Sequence, residues 1–152
     1  MHATKQKDVN IRFVSNTTSF ASSSGHHVRT LTERSICEWL TARNVSHHHA
    51  SEVYIVKATG NGSPALFVPD VVLNARTRDG KTILIESLHS FAPKRGGLKT
   101  LSAFRKQYGE QFVVIVVGKK ATLENLPKSV ADARVELESI DMLAKKIEKF
   151  TS

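Results

Sequence analysis

The spacing of apolar residues changes period several times along the chain, and each change marks a different element. In "TLTERSICEWLTARN", Ile36, Cys37 and Leu40 fall on one helical stripe with Leu31 near its start, which predicts a helix from Thr30 onward. "EVYIVKA" then reads as a strand and "GNGSP" as a loop. "LFVPDVVL" and "KTILIESL" read as two further strands on either side of a turn at "RTRDG". After the polar loop "HSFAPKRGG", the residues Leu98, Leu101, Phe104 and Tyr108 share a helical face, and Gly109 suits that helix's end. "QFVVIVVG" is a continuous apolar run, the pattern of a strand covered on both faces. "ARVELES" predicts a short strand, and "IDMLAKKIEKF" a helix with Ile140, Leu143, Ile147 and Phe150 inward. The order is helix, three strands, helix, strand, then strand and helix, without an internal repeat. That order predicts an α/β sandwich: a mixed central sheet with flanking helices.

Residues 1–29 break this pattern. They are polar and rich in Ser, Thr, Asn and Lys, and are expected to form a flexible arm, with "VNIRFVS" as a short edge strand. A single domain is therefore expected over residues 30–152.

Composition narrows the function classes. A chain of 152 residues with 40% hydrophobic content has enough apolar material for one real core. The formal charge of +8 favours an anionic partner, nucleic acid first among them. A single cysteine, Cys37, excludes an intramolecular disulfide framework. No run approaches the roughly 18 apolar residues of a membrane span, and no signal peptide is read, so the expected compartment is the cytoplasm.

Two carboxylates stand out against this apolar background. Asp70 and Glu86 lie in consecutive predicted strands, where a charge is expensive unless paired or metal-bound. The hairpin between them decides whether they meet. A two-residue turn at Asp79-Gly80 would put Glu86 opposite Leu73, on the other face from Asp70. A three-residue loop, Arg78 to Gly80, would put both acids on one face, and a five-residue loop would put Asp70 directly across from Glu86. In the last case their Cβ atoms would stand about 5 Å apart, close enough for one divalent cation to bridge them. Glu33 is a third inward acid at the end of the first helix's stripe. It also completes the capping box Thr30-x-x-Glu33, which needs no metal.

With Glu33-Arg34 followed by "SICEWLTARNV", then "VPDVVL" and "ILIES", the stretch from Thr30 to Val117 resembles the archaeal Holliday-junction resolvases of the PD-(D/E)XK nuclease superfamily. The resemblance implies a restriction-endonuclease-like fold and a Mg²⁺ site made of Glu33, Asp70 and Glu86. It implies an endonuclease acting on branched or duplex DNA, RNA not being excluded, and a homodimer by analogy. Pro69 matches the motif, but Leu88 stands where the family has a Lys. That Lys orients or deprotonates the attacking water, which an aliphatic side chain cannot do. Lys94 or Lys99 is the candidate replacement. Lys94, Arg95, Lys99 and Lys106 are the candidate phosphate contacts. The rival expectations are a catalytically silent DNA-binding or assembly module, or an unrelated chain in which Asp70 only hydrogen-bonds at a strand end.

The remaining signals point to structure. His47, His48 and His49 in an extended segment face alternate sides and are not expected to enclose one ion together. His26-His27 is read the same way. Cys37 is expected to be a buried small hydrophobe, Trp39 a packing residue, and His89 to face away from Glu86.

Overall fold

The structure is a computed structural model and describes residues 20–21, 26–28, 30–49, 52–57, 64–88 and 97–152. The elements in chain order are β1 (Phe20–Ala21), β2 (His27–Val28), α1 (Leu31–Ala42), β3 (His47–His49), β4 (Tyr54–Val56), β5 (Ala65–Phe67) and β6 (Val71–Arg76). They continue with β7 (Thr82–Leu88), α2 (Gly97–Tyr108), β8 (Phe112–Gly118), α3 (Lys120–Glu124), β9 (Ala133–Glu136) and α4 (Met142–Thr151). The central sheet has five strands in the order β3-β6-β7-β8-β9. β3, β6 and β7 are antiparallel neighbours, whereas β7, β8 and β9 run parallel. The protein is thus α/β with a mixed sheet, as the element order predicts.

Period-two alternation sorts the sheet residues into two cores. Val72, Leu84, Val114 and Val116 face α2, where they meet Leu101, Phe104 and Tyr108. Val71, Leu73, Ile83, Ile85, Val113, Ile115 and Val117 face the other side, against Ile36 and Leu40 of α1 and Leu143 of α4. All seven residues of β8 are buried, which is why its sequence carries no polar alternation. At the end of β8, a Cβ on Gly118 would stand 2.7 Å from the Leu88 carbonyl oxygen, so the close approach of β7 there requires glycine.

Several expectations are corrected. "LFVPDVVL" is not one strand, because Pro69 and Asp70 interrupt it: β5 pairs with β4 in a separate two-stranded ladder, and only β6 joins the main sheet. Proline lacks the N–H a ladder needs, which accounts for the break. β3, within "SHHHAS", is an unexpected edge strand. Leu31 is 62% exposed and lies off the buried stripe of α1, whose buried residues are Thr32, Glu33, Ile36, Cys37, Trp39 and Leu40. Of the N-terminal arm, β2 pairs with β1 and Val28 is fully buried. The expected edge strand at residues 9–15 lies outside the described residues.

The end of α1 aims the chain into β3. Asn44 adopts a left-handed φ of 58°. Val45 N–H donates to the Leu40 carbonyl at 2.9 Å and Asn44 N–H to the Thr41 carbonyl at 3.1 Å, the bond pair of a Schellman cap. Val45 folds back onto the core shared with Leu40, and β3 begins two residues later.

Candidate functional site

The hairpin between β6 and β7 does not keep one register. Next to the turn Arg76 pairs with Thr82, but beyond an irregularity Val72 pairs with Leu84 and Val71 with Ile85. Gly80 takes the left-handed φ of 87° at the turn, and Thr77 ties it off by accepting from Gly80 N–H at 2.9 Å. Extra residues in β6 therefore convert the register of a three-residue loop into that of a longer one. Continued by one step, the pairing sets Asp70 across from Glu86. The two are joined there, with Asp70 N–H donating to Glu86 Oε2 at 2.8 Å. Asp70 Oδ2 in turn accepts from the Ser87 N–H at 2.8 Å and the Ser87 hydroxyl at 3.0 Å.

Glu33 lies on the α1 side of the sheet, the face opposite this pair, and is linked to the Asp70 backbone through His49. It is buried on α1, and its Oε2 lies 3.0 Å from His49 Nδ1, which is also 3.2 Å from the Asp70 carbonyl oxygen. The Glu33 backbone N–H donates to Thr30 Oγ1 at 3.0 Å, so the cap forms while the carboxylate serves the histidine. Glu33, His49, Asp70, Glu86 and Ser87 make one connected polar network near the carboxyl end of β7, the end of an open α/β sheet at which ligands bind. Leu88 packs against the α2-side core. Lys99 and Lys106 are exposed on α2. Lys94, Arg95 and His89 lie outside the described residues.

His49 also belongs to a second cluster. His47 pairs with Leu73 and His49 with Val71, so both rings lie on the face covered by α1. His48 between them turns away and meets Asn74. Cys37 Sγ on α1 stands 3.3 Å from His47 Nε2, 3.2 Å from His49 Nε2 and 3.4 Å from Nδ1 of His26, which precedes β2. One nitrogen of each ring and the sulfur all lie within 4.8 Å of one another, and none of the three acids belongs to this group. The three rings meet edge to face, with centroids 4.9–5.2 Å apart and interplanar angles of 73–83°.

Sequence reasoning missed this cluster. The spacing of His47 and His49 already put them on one face, but only the packing of α1 and β2 brings Cys37 and His26 to them. Burial, reinforced by His49, holds His26 below the ordinary histidine range. His47 is also lowered, mainly by burial. For His49 burial acts in the same direction, yet hydrogen bonds to Glu33 and Cys37 outweigh it and the group is raised.

Trp39 is a packing residue, its indole N–H donating to Asp141 Oδ1 at 2.8 Å beneath the Arg43 guanidinium. Among the described residues, no helix is long and apolar enough to cross a membrane. Compared with known protein families, curated proteins and solved structures, the chain matches none of them.

Proposed function

We propose that this chain is a nucleic-acid-binding domain of the PD-(D/E)XK nuclease type, a Mg²⁺-dependent endonuclease on branched or duplex DNA. The observation that carries the reading is the meeting of Asp70 and Glu86 through the 2.8 Å bond from Asp70 N–H to Glu86 Oε2. The Glu86 carboxylate is held by the backbone N–H of Asp70, and the Asp70 carboxylate by Ser87, the residue after Glu86, at the carboxyl end of β7. The donor set fits the ion, since carboxylate oxygens are the hard ligands Mg²⁺ prefers. Asp70 and Glu86 would hold it, with Glu33 linked to them through His49. Mg²⁺ bound there supplies an acidified water and charge neutralisation at the phosphate. Ser87 keeps the Asp70 carboxylate oriented by two hydrogen bonds. The net charge of +8, with Lys99 and Lys106 exposed on α2, supports contact with a phosphodiester backbone.

A second reading, a catalytically silent DNA-binding or assembly module, is favoured by Leu88. Its side chain packs toward the core where the nuclease motif has its ammonium. The two readings part in a cleavage assay on linear, branched and single-stranded DNA with Mg²⁺. The native protein is expected to cleave weakly, Leu88→Lys to cleave faster, and Asp70→Ala in the Leu88→Lys background to lose the gain. If native and Leu88→Lys proteins are both inert while salt-sensitive DNA binding persists, the binding module stands and the enzyme does not. Absence of DNA and RNA binding as well would remove the nuclease and the DNA-binding module and leave only an assembly role.

A further inference from the structure

Three histidines and a thiol converge around one point. His47 Nδ1 lies 2.8 Å from the Val45 carbonyl oxygen, so that nitrogen carries the proton. His49 Nδ1 faces two acceptors, Glu33 Oε2 at 3.0 Å and the Asp70 carbonyl at 3.2 Å, and it too carries a proton. In the neutral rings each Nε2 is then a lone pair, and both point at Cys37 Sγ, as does His26 Nδ1.

A soft divalent cation fits this set of one sulfur and three imidazole nitrogens. With Zn–S about 2.3 Å and Zn–N about 2.0–2.1 Å, tetrahedral angles require S···N separations of about 3.5 Å. The three sulfur–nitrogen distances here are 3.2, 3.3 and 3.4 Å. The outer hydrogen bonds also match what ligating histidines make: Nδ1–H of His47 donates to a backbone carbonyl and that of His49 to a carboxylate, aiming each Nε2 inward.

We infer that Cys37, His26, His47 and His49 form a closed tetrahedral Zn²⁺ site. Four protein ligands leave no open position, so the ion is structural rather than catalytic. It ties together three pieces: the segment leading into β2, the helix α1 and the three-residue edge strand β3. Through His49 it also steadies Glu33 and the backbone of Asp70.

The test titrates Co²⁺ into metal-stripped full-length protein and reads the absorption spectrum, with zinc content of the purified protein measured in parallel. One Co²⁺ per chain is expected, with the visible bands of tetrahedral cobalt and an ultraviolet thiolate charge-transfer band, and Zn²⁺ displaces it. Cys37→Ser should lose the charge-transfer band, and His48→Ala, whose ring faces away, should keep it. His26→Ala leaves α1 and β3 intact and should retain the thiolate band while weakening Co²⁺ affinity at least tenfold. Circular dichroism identifies any variant that fails to fold, and the wild-type and His26→Ala spectra then decide. Sub-stoichiometric binding to folded wild-type protein, an octahedral spectrum without charge transfer, or unchanged affinity in His26→Ala would overturn the site. None of these readouts involves DNA or Mg²⁺, so the outcome is separate from that of the nuclease reading.

Discussion

Asp70→Ala removes the oxygen that accepts from Ser87 N–H at 2.8 Å and from Ser87 Oγ at 3.0 Å. The hydroxyl can rotate to another partner, but the backbone N–H is fixed and partly buried. Leaving such a donor without an acceptor costs about 1–3 kcal/mol. Asp70→Asn keeps an amide oxygen in the same place and loses only the charge on the acceptor, a loss of about 1 kcal/mol or less. Urea unfolding followed by fluorescence of Trp39, the single tryptophan and a buried one, reads both variants under one protocol. In thermal unfolding each kcal/mol corresponds to a Tm change of about 2–4 °C in a chain of this size. At the proposed Mg²⁺ site metal affinity should order differently, because both substitutions remove the anionic oxygens proposed to hold the ion and both should abolish a Mg²⁺-dependent response. Stability therefore separates Ala from Asn, whereas metal dependence groups them together. Equal destabilisation by the two variants, or none by Asp70→Ala, would refute the assignment of the Ser87 bonds to the strand-end carboxylate.

Two further outcomes follow from other parts of the molecule. Gly118→Ala sets a methyl 2.7 Å from the Leu88 carbonyl and 3.2 Å from Leu88 Cβ, so the β7–β8 pair must separate at its carboxyl end. A destabilisation of about 1–3 kcal/mol in urea unfolding is expected, and a neutral result would mean that the strand ends relax freely. Charge reversal at Lys94, Arg95 and Lys99 together should weaken DNA binding and flatten its salt dependence by about one unit of slope for each phosphate that is no longer neutralised. Unchanged affinity at fixed low salt would place the binding face elsewhere or remove it.

Much of the architecture is legible in local periodicity. Helical stripes mark α1, α2 and α4, and the unbroken apolar run of β8 announces a strand covered on both sides, because each depends on neighbours in sequence. The oddity of Asp70 and Glu86 is equally visible, since a charge in an apolar run declares itself. Whether they meet is not, for the register turns on extra residues accommodated within β6, and three loop lengths are all compatible with "RTRDG". Pro69 carries the signal that splits "LFVPDVVL", yet the destination of β5, a ladder with β4 beside α2, depends on which apolar surface remains uncovered. The histidine–cysteine cluster lies furthest from the reach of sequence. Alternation alone puts His47 and His49 on one face, but Cys37 reads as an ordinary apolar position on the α1 stripe and His26 as part of a polar arm. Only docking of α1 and β2 against the edge strand turns these four residues into a set of ligands, because coordination is a relation in space among residues that local periodicity treats one element at a time.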